Sequence, residues 1–260
     1  MNRIRLVTFD ALHTTITPRR PIHVQYSEVF EPYVGILPPE RIKQSFKSAL
    51  KAVQNEDQTY EQGAENWWRD VIRRTAIEAG ANPSVLDKNL STIVKILMRR
   101  FSSSEGYGAF EDAIPTIQRL DHLGVKTAVI SNGDSRIRAV LKDLSFPEYM
   151  SPIILSEEEG VSKPSPEIFM KTLKFLNRGV DQDDIVLPSE CLHVGDELVC
   201  DYHGAMGAGM NALLLRRLGI AGEHENKEHD EDLREVQIIN SLDEVQKWVE
   251  QRNTLVSNQK

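Results

Sequence analysis

Six short apolar runs punctuate the chain, each stopping at polar residues: 4–9 (IRLVTF), 126–130 (KTAVI), 152–155 (PIIL), 191–194 (CLHV), 211–215 (NALLL) and 236–239 (VQII). Runs this short, rich in β-branched and aromatic residues, predict strands buried on both faces. Helical periods lie between them. Residues 112–123 space Ile114, Ile117, Leu120 and Leu123 by three, and Gly124 supplies a stop. Residues 165–177 open with Ser165 as N-cap and Pro166 at the first helical position, with Ile168, Phe169, Leu173 and Leu176 as the apolar face. Residues 241–252 repeat the design with Ser241 as the cap and Leu242, Val245 and Val249 inward. Strand–helix–strand alternation predicts an α/β fold, a Rossmann-like parallel sheet with helices on both faces.

The stretch from Thr17 to Phe110 breaks the alternation. It shows helical periods interrupted by Pro38-Pro39, Gly63, Gly80 and Pro83, and no convincing strand. Its length exceeds an ordinary crossover. The division predicted is therefore a core of residues 1–17 and 111–260 with a helical-bundle insert over 18–110. Within the insert, Trp67 and Trp68 point about 100° apart on one helix, so one is expected in its core and the other partly exposed.

Composition narrows the function. The chain has 260 residues, 40% hydrophobic and 27% charged, with a formal charge of −8. An acidic balance argues against a nucleic-acid surface. No apolar run approaches the length of a membrane span. The first residues enter a strand pattern at once and leave no room for a targeting peptide. With only two cysteines, Cys191 and Cys200, no disulfide framework is expected, and the compartment predicted is the cytosol. The run at 223–235 (EHENKEHDEDLRE) carries His224 and His229, but reads as a solvated loop rather than a metal site.

In an open parallel sheet, ligands bind beyond the carboxyl ends of the strands. Asp10, Ser131 and Asp196 each follow a strand there, and Lys163 sits in a loop after another. Taken singly, these are turn and cap residues. Together they suit phosphoryl transfer: Asp10 could attack phosphorus, and Lys163 could offset the meeting of two anions. A magnesium ion held by Asp10 and Asp196 would add positive charge. Ser131 could hold phosphoryl oxygens, and Asp201 could orient Lys163 or the ion's waters.

The segments FDALHTT, ISNGD, SKPSPEIF and VGDELVCDYHGA resemble, in order, the four motifs of the haloacid dehalogenase superfamily. That resemblance implies a nucleophilic Asp10, phosphate binding by Ser131 and Asn132, stabilisation by Lys163, and magnesium on Asp10, Asp196 and the backbone carbonyl of Leu12. Thr14 and Asp201 complete the surroundings, and the helical insert resembles a cap that selects a small phosphorylated substrate. One position departs. Phosphatases of the superfamily carry a second Asp two residues after the nucleophile, where this chain has Leu12, and the usual Gly-Thr is His13-Thr14. Loss of an acid–base group removes about 10²–10⁴ in rate. His13 could stand in as proton donor, although a packing or turn role fits it better. A haloacid dehalogenase, or a non-catalytic protein that binds a phospho-ligand, are the competing readings. The acidic GDELVCD segment fits the dehalogenase poorly. His193, inside a buried strand, is expected to be a satisfied core residue.

Overall fold

The computed structural model describes residues 2–57, 60–61, 63–222, 227 and 230–257. His224 and His229 lie outside these described residues. From the amino end the chain runs β1 (Leu6–Phe9), β2 (Ile16–Pro18), α1 (Ile22–Val34), α2 (Pro39–Glu56), α3 (Ala64–Glu78), α4 (Pro83–Arg100) and β3 (Tyr107–Ala109). It continues with α5 (Ala113–His122), β4 (Lys126–Ser131), α6 (Arg136–Asp143), β5 (Ile153–Leu155), α7 (Ser156–Glu159) and α8 (Pro166–Leu176). The remainder is β6 (Cys191–Gly195), α9 (Gly204–Gly207), β7 (Asn211–Leu215), β8 (Ile238–Ile239) and α10 (Asp243–Ser257). β2 and β3 appear where the sequence shows no strand. At three residues each, they are too short to display a period of two.

The chain forms two compact units. One comprises Met1–Thr17, Ala109–Gly133 and Ser145–Lys260; the other comprises Pro18–Gly108 and Asp134–Leu144.

The first unit is a six-stranded sheet in the order β5-β4-β1-β6-β7-β8, with every pair parallel. β1 lies between β4 and β6, so the chain builds outward on one side of β1 and then on the other. That arrangement makes the β1 end a switch point, where a crevice opens between diverging connections. Burial on both faces explains why β1 and β6 lack the alternation of a half-exposed strand: every residue of each is buried. α8 and α9 pack on one face against Ile130, Ala128 and Leu214, while α5 and α10 pack together over the other. Register fixes the crevice. Phe9 pairs with Val129 on one side and Val194 on the other. Asp10, Ser131 and Asp196 therefore emerge at the same edge within one or two residues of these partners.

The second unit is a helical bundle. α1 packs against α2 and α4, and α3 packs against the same two helices, the neighbour pattern of a four-helix arrangement. α4 begins with the Asn82 side chain accepting from the Ser84 and Val85 N–H groups, and Pro83 occupies the first turn. Tyr26 is buried against Phe30 and Phe46 at ring distances of 5.6 and 5.2 Å, both edge-to-face. Trp67 is buried and Trp68 is half-buried. α6 belongs to this unit through Trp68, whose Nε1 donates to Asp134 Oδ2 at 2.7 Å. The Arg136 guanidinium forks onto the same carboxylate at 2.8 and 2.7 Å and stacks 4.2 Å from the Trp68 ring. Asp134 stands just before Ser135, the N-cap of α6. Its Oδ1 accepts the Arg136 N–H at 3.0 Å, but the buried carboxylate chiefly pairs with the half-buried guanidinium.

Candidate active site

At the end of β1, Asp10 is held by its backbone N–H, which donates to the Val194 carbonyl at 2.9 Å. The chain then turns tightly. The Thr15 and Ile16 N–H groups both reach the Ala11 carbonyl at 2.9 Å, and Thr15 Oγ1 donates to the Asp10 carbonyl at 3.2 Å. His13 sits in this turn at φ +62°. Glycine reaches that left-handed region without steric penalty, which explains why the resembling motif has Gly there. His13 is buried.

Lys163 is 4% exposed, an unusual place for a lysine unless it is paired. Its Nζ donates to Asp10 Oδ1 at 2.7 Å and to Asp201 Oδ1 at 2.5 Å. The lysine loop is clamped by Asn132. The Lys163 N–H donates to Asn132 Oδ1 at 2.7 Å, and Asn132 Nδ2 donates to the Lys163 carbonyl at 2.9 Å. The side chain read from sequence as a phosphate ligand also braces the lysine loop. Ser131, ending β4, is buried. Thr14 Oγ1 lies 3.4 Å from Asp196 Oδ1, and Leu12 is half-buried in the turn after Asp10.

Asp196 and Asp201 differ in what they can offer. Both Asp201 oxygens are engaged: Oδ1 with Lys163 and with His193 Nε2 at 3.1 Å, Oδ2 with the Glu197 N–H at 2.9 Å. The segment carrying Asp201 winds as a π-helical turn, Leu198–His203, wider than an α-helical turn and of a kind frequent at functional sites. Asp10, Asp196 and Asp201 each present a ligand atom within 4.8 Å of the others, and all three are buried. One lysine cannot neutralise three carboxylates. An all-oxygen, net-negative, buried donor set is the chemistry a hard divalent cation fits.

Charge is distributed unequally. Burial opposes ionisation of Asp201, but the Lys163 ammonium and the His193 N–H outweigh it and hold the carboxyl well below the usual range. For Asp10, burial dominates over the same lysine and pushes its carboxyl up. Burial also works against Lys163, yet Asp10 and Asp201 keep it firmly protonated. The asymmetry has a simple cause: Asp201 has three donors, and Asp10 shares one.

Two arginines that sequence reading passed over complete the frame. Arg216 donates to the Asp196 backbone carbonyl and pairs with Glu231 at 2.6 and 2.7 Å. Arg217 donates to the Thr14 carbonyl at 3.0 Å, forks onto Asp112 at 2.8 Å twice, and stacks 3.8 Å over Phe110. Their signal is present in NALLLRR: two arginines directly continuing a buried strand must find buried partners. His193 had a signal too. On buried parallel strands, Thr8 and Asp10 share one face of β1, and His193 shares the matching face of β6.

A family profile described as haloacid dehalogenase-like hydrolase matches residues 5–209. Among curated proteins, the chain is 30% identical over 217 residues to haloacid dehalogenase-like hydrolase domain-containing protein 3 of Mus musculus, covering 82% of each chain. It is 27% identical over 217 residues to an uncharacterized hydrolase of Schizosaccharomyces pombe, covering 82% of this chain and 90% of that one. Its fold is similar to that of a 2-haloacid dehalogenase from Pseudomonas syringae, with a TM-score of 0.63, 22% identity, and 96% and 99% of the two chains covered. A HAD phosphatase from Thermococcus onnurineus gives a TM-score of 0.55 at 20% identity, with 95% and 98% covered. At these identities the two structures speak for the fold alone. The match over most of the chain, on a parallel sheet with the motif residues gathered at its switch point, places this protein in the haloacid dehalogenase-like hydrolase family.

Proposed function

We propose that this hydrolase is a magnesium-dependent phosphatase acting on a small phosphorylated metabolite in the cytosol, with Asp10 as nucleophile. The observation that carries this reading is the excess of buried carboxylate over buried ammonium at the β1 end. Asp10, Asp196 and the Leu12 carbonyl would hold Mg²⁺, which supplies charge neutralisation where two anions meet. A carboxylate oxygen of Asp10 attacks phosphorus, the ester P–O bond breaks, and an aspartyl-phosphate forms. Lys163 offsets the charge that develops on the phosphoryl oxygens, and Ser131 donates to them. Water then cleaves the acyl phosphate, releasing phosphate and restoring the carboxylate. The helical unit would serve as the cap that selects the substrate.

Leu12 limits the first step. No carboxylic acid stands two residues after Asp10 to protonate a departing alkoxide, so aryl and acyl phosphates, with better leaving groups, suit the site more than alkyl phosphates. The same residue supports a second reading, a phospho-ligand-binding protein without turnover. A dehalogenase needs no cation beside its nucleophile and leaves the Asp196 carboxylate without a task. Phosphate release from p-nitrophenyl phosphate separates them. Release that requires Mg²⁺ and vanishes in Asp10→Asn is the expected result. Release that survives Asp10→Asn overturns the phosphatase. Chloride release from a 2-chloroacid without metal would favour the dehalogenase.

A further inference from the structure

Behind Lys163 runs a buried line of hydrogen bonds that the family motifs do not include. Thr8 on β1 and His193 on β6 are register partners in the parallel pair. His193 is wholly buried, its Nδ1 2.8 Å from Thr8 Oγ1 and its Nε2 3.1 Å from Asp201 Oδ1. The Phe169 ring meets the imidazole edge-on at 5.1 Å and fixes its plane. A carboxylate can only accept, so Nε2 must carry a proton. A neutral imidazole has one N–H, which makes Nδ1 an acceptor, and the Thr8 hydroxyl, 3.4 Å from the Leu192 carbonyl, must then give its one proton to the nearer Nδ1 at 2.8 Å. The alternative, an imidazolium, would set a second buried cation beside Lys163, and burial opposes it.

We propose that His193 is a positioning residue for the lysine of this site: held by Thr8 as the Nε2–H tautomer, it orients Asp201, and Asp201 in turn presents Lys163 to Asp10. The kinetic consequence rests on the phosphatase reading; the tautomer does not. Asp201 Oδ1 is the atom shared by His193 and Lys163, so any rotation of that carboxylate carries the ammonium with it. Thr8→Val removes the hydroxyl at nearly constant volume and leaves Nδ1 without its donor, so the ring keeps Nε2–H toward Asp201 but loses the anchor on its other side.

The test has two arms on the full-length chain. Long-range ¹H–¹⁵N NMR of the imidazole reports the tautomer directly: Nε2–H is expected in wild type, and in Thr8→Val the Nδ1 resonance should shift as its donor is lost while Nε2–H stays. An Nδ1–H ring or an imidazolium in wild type overturns the proposal. The second arm measures kcat and KM for p-nitrophenyl phosphate with Mg²⁺. His193→Phe and Thr8→Val should lower kcat about 10- to 100-fold with little change in KM, the worth of a hydrogen bond to a charged group. His193→Gln, which places an N–H near the Nε2 position, should recover most of that loss, and Thr8→Ser should behave likewise. Wild-type kcat in both His193→Phe and Thr8→Val overturns the proposal. If His193→Phe does not fold, the Thr8 pair carries this arm. If Asp10→Asn retains activity, or wild type has none, the phosphatase reading fails and the tautomer alone decides.

Discussion

A Cβ added to Gly195 would lie 2.1 Å from Asp201 Cγ and 2.2 Å from its Oδ2. The side chain missing at the end of β6 is the space into which the Asp201 carboxylate folds back to meet Lys163, His193 and the Glu197 N–H. Gly195 is thus required for room and not for backbone freedom. Gly195→Ala should displace Asp201 and break a buried ion pair, costing about 3–5 kcal/mol. Urea denaturation checks this, and a loss below about 1 kcal/mol would mean that the carboxylate can move aside.

Acid should expose the difference between the two carboxylates that share Lys163. Asp201 has its folded pKa lowered, so its contribution to stability is complete above the ordinary carboxylate pKa. That contribution drains away as pH falls from about 4 toward the folded value. Asp201→Asn should therefore be less stable than wild type at pH 7, by about 3 kcal/mol, with the gap closing below about pH 4. Denaturation curves from pH 2.5 to 7 (~0.5 unit steps) would follow the convergence.

Asp10 has the opposite sign. Its folded pKa is raised, so keeping it ionised works against folding once the pH passes its folded value. Without divalent metal, Asp10→Asn should match or exceed wild-type stability at neutral pH, by up to about 2 kcal/mol, while losing turnover. A destabilised Asp10→Asn would show that the Lys163 pair outweighs the burial of this carboxylate.

Magnesium should raise the Tm of wild type at pH 7 in proportion to the logarithm of its concentration. The rise should vanish in Asp196→Asn, which keeps the side chain's shape but not its charge. It should also shrink toward pH 5, because a raised Asp10 must release its proton before it can ligate. An equal rise at both pH values would place the ion elsewhere.

Leu12→Asp restores a carboxyl to the turn after the nucleophile. It should raise kcat on an alkyl phosphate by about 10²-fold or more and on an aryl phosphate much less, the difference reflecting leaving-group basicity. Equal gains on both would point to an effect on binding rather than on proton transfer.

Asp134 in the helical unit is a structural counterpart to these site residues. Arg136 is half-buried against the Trp68 ring and takes its neutralising charge from the buried Asp134. Asp134→Ala should cost about 3–5 kcal/mol by stranding that guanidinium, whereas Trp68→Phe, which removes one N–H donor, should cost about 1 kcal/mol. Thermal melts of both variants test the ratio.

The hydrophobic pattern by itself determined the parallel sheet, because strands buried on both faces write continuous apolar runs that helices of a different period separate. It also determined which residues leave the strands, since Asp10, Ser131 and Asp196 stand where those runs stop. Their order, with SKPSPEIF between, sufficed for the family. What sequence spacing could not contain was who bonds to whom. That Asn132 closes on the Lys163 backbone, that His193 stands behind Asp201, and that Arg216 and Arg217 reach back to Asp196 and Thr14 depend on strand register. They also depend on the direction in which each donor points, set by contacts from 8 to 203 residues apart in the chain. The unequal charge of Asp10 and Asp201 follows from the same contacts. Two buried carboxylates of identical chemistry separate only because the fold supplies one with three donors and leaves the other to share a single lysine.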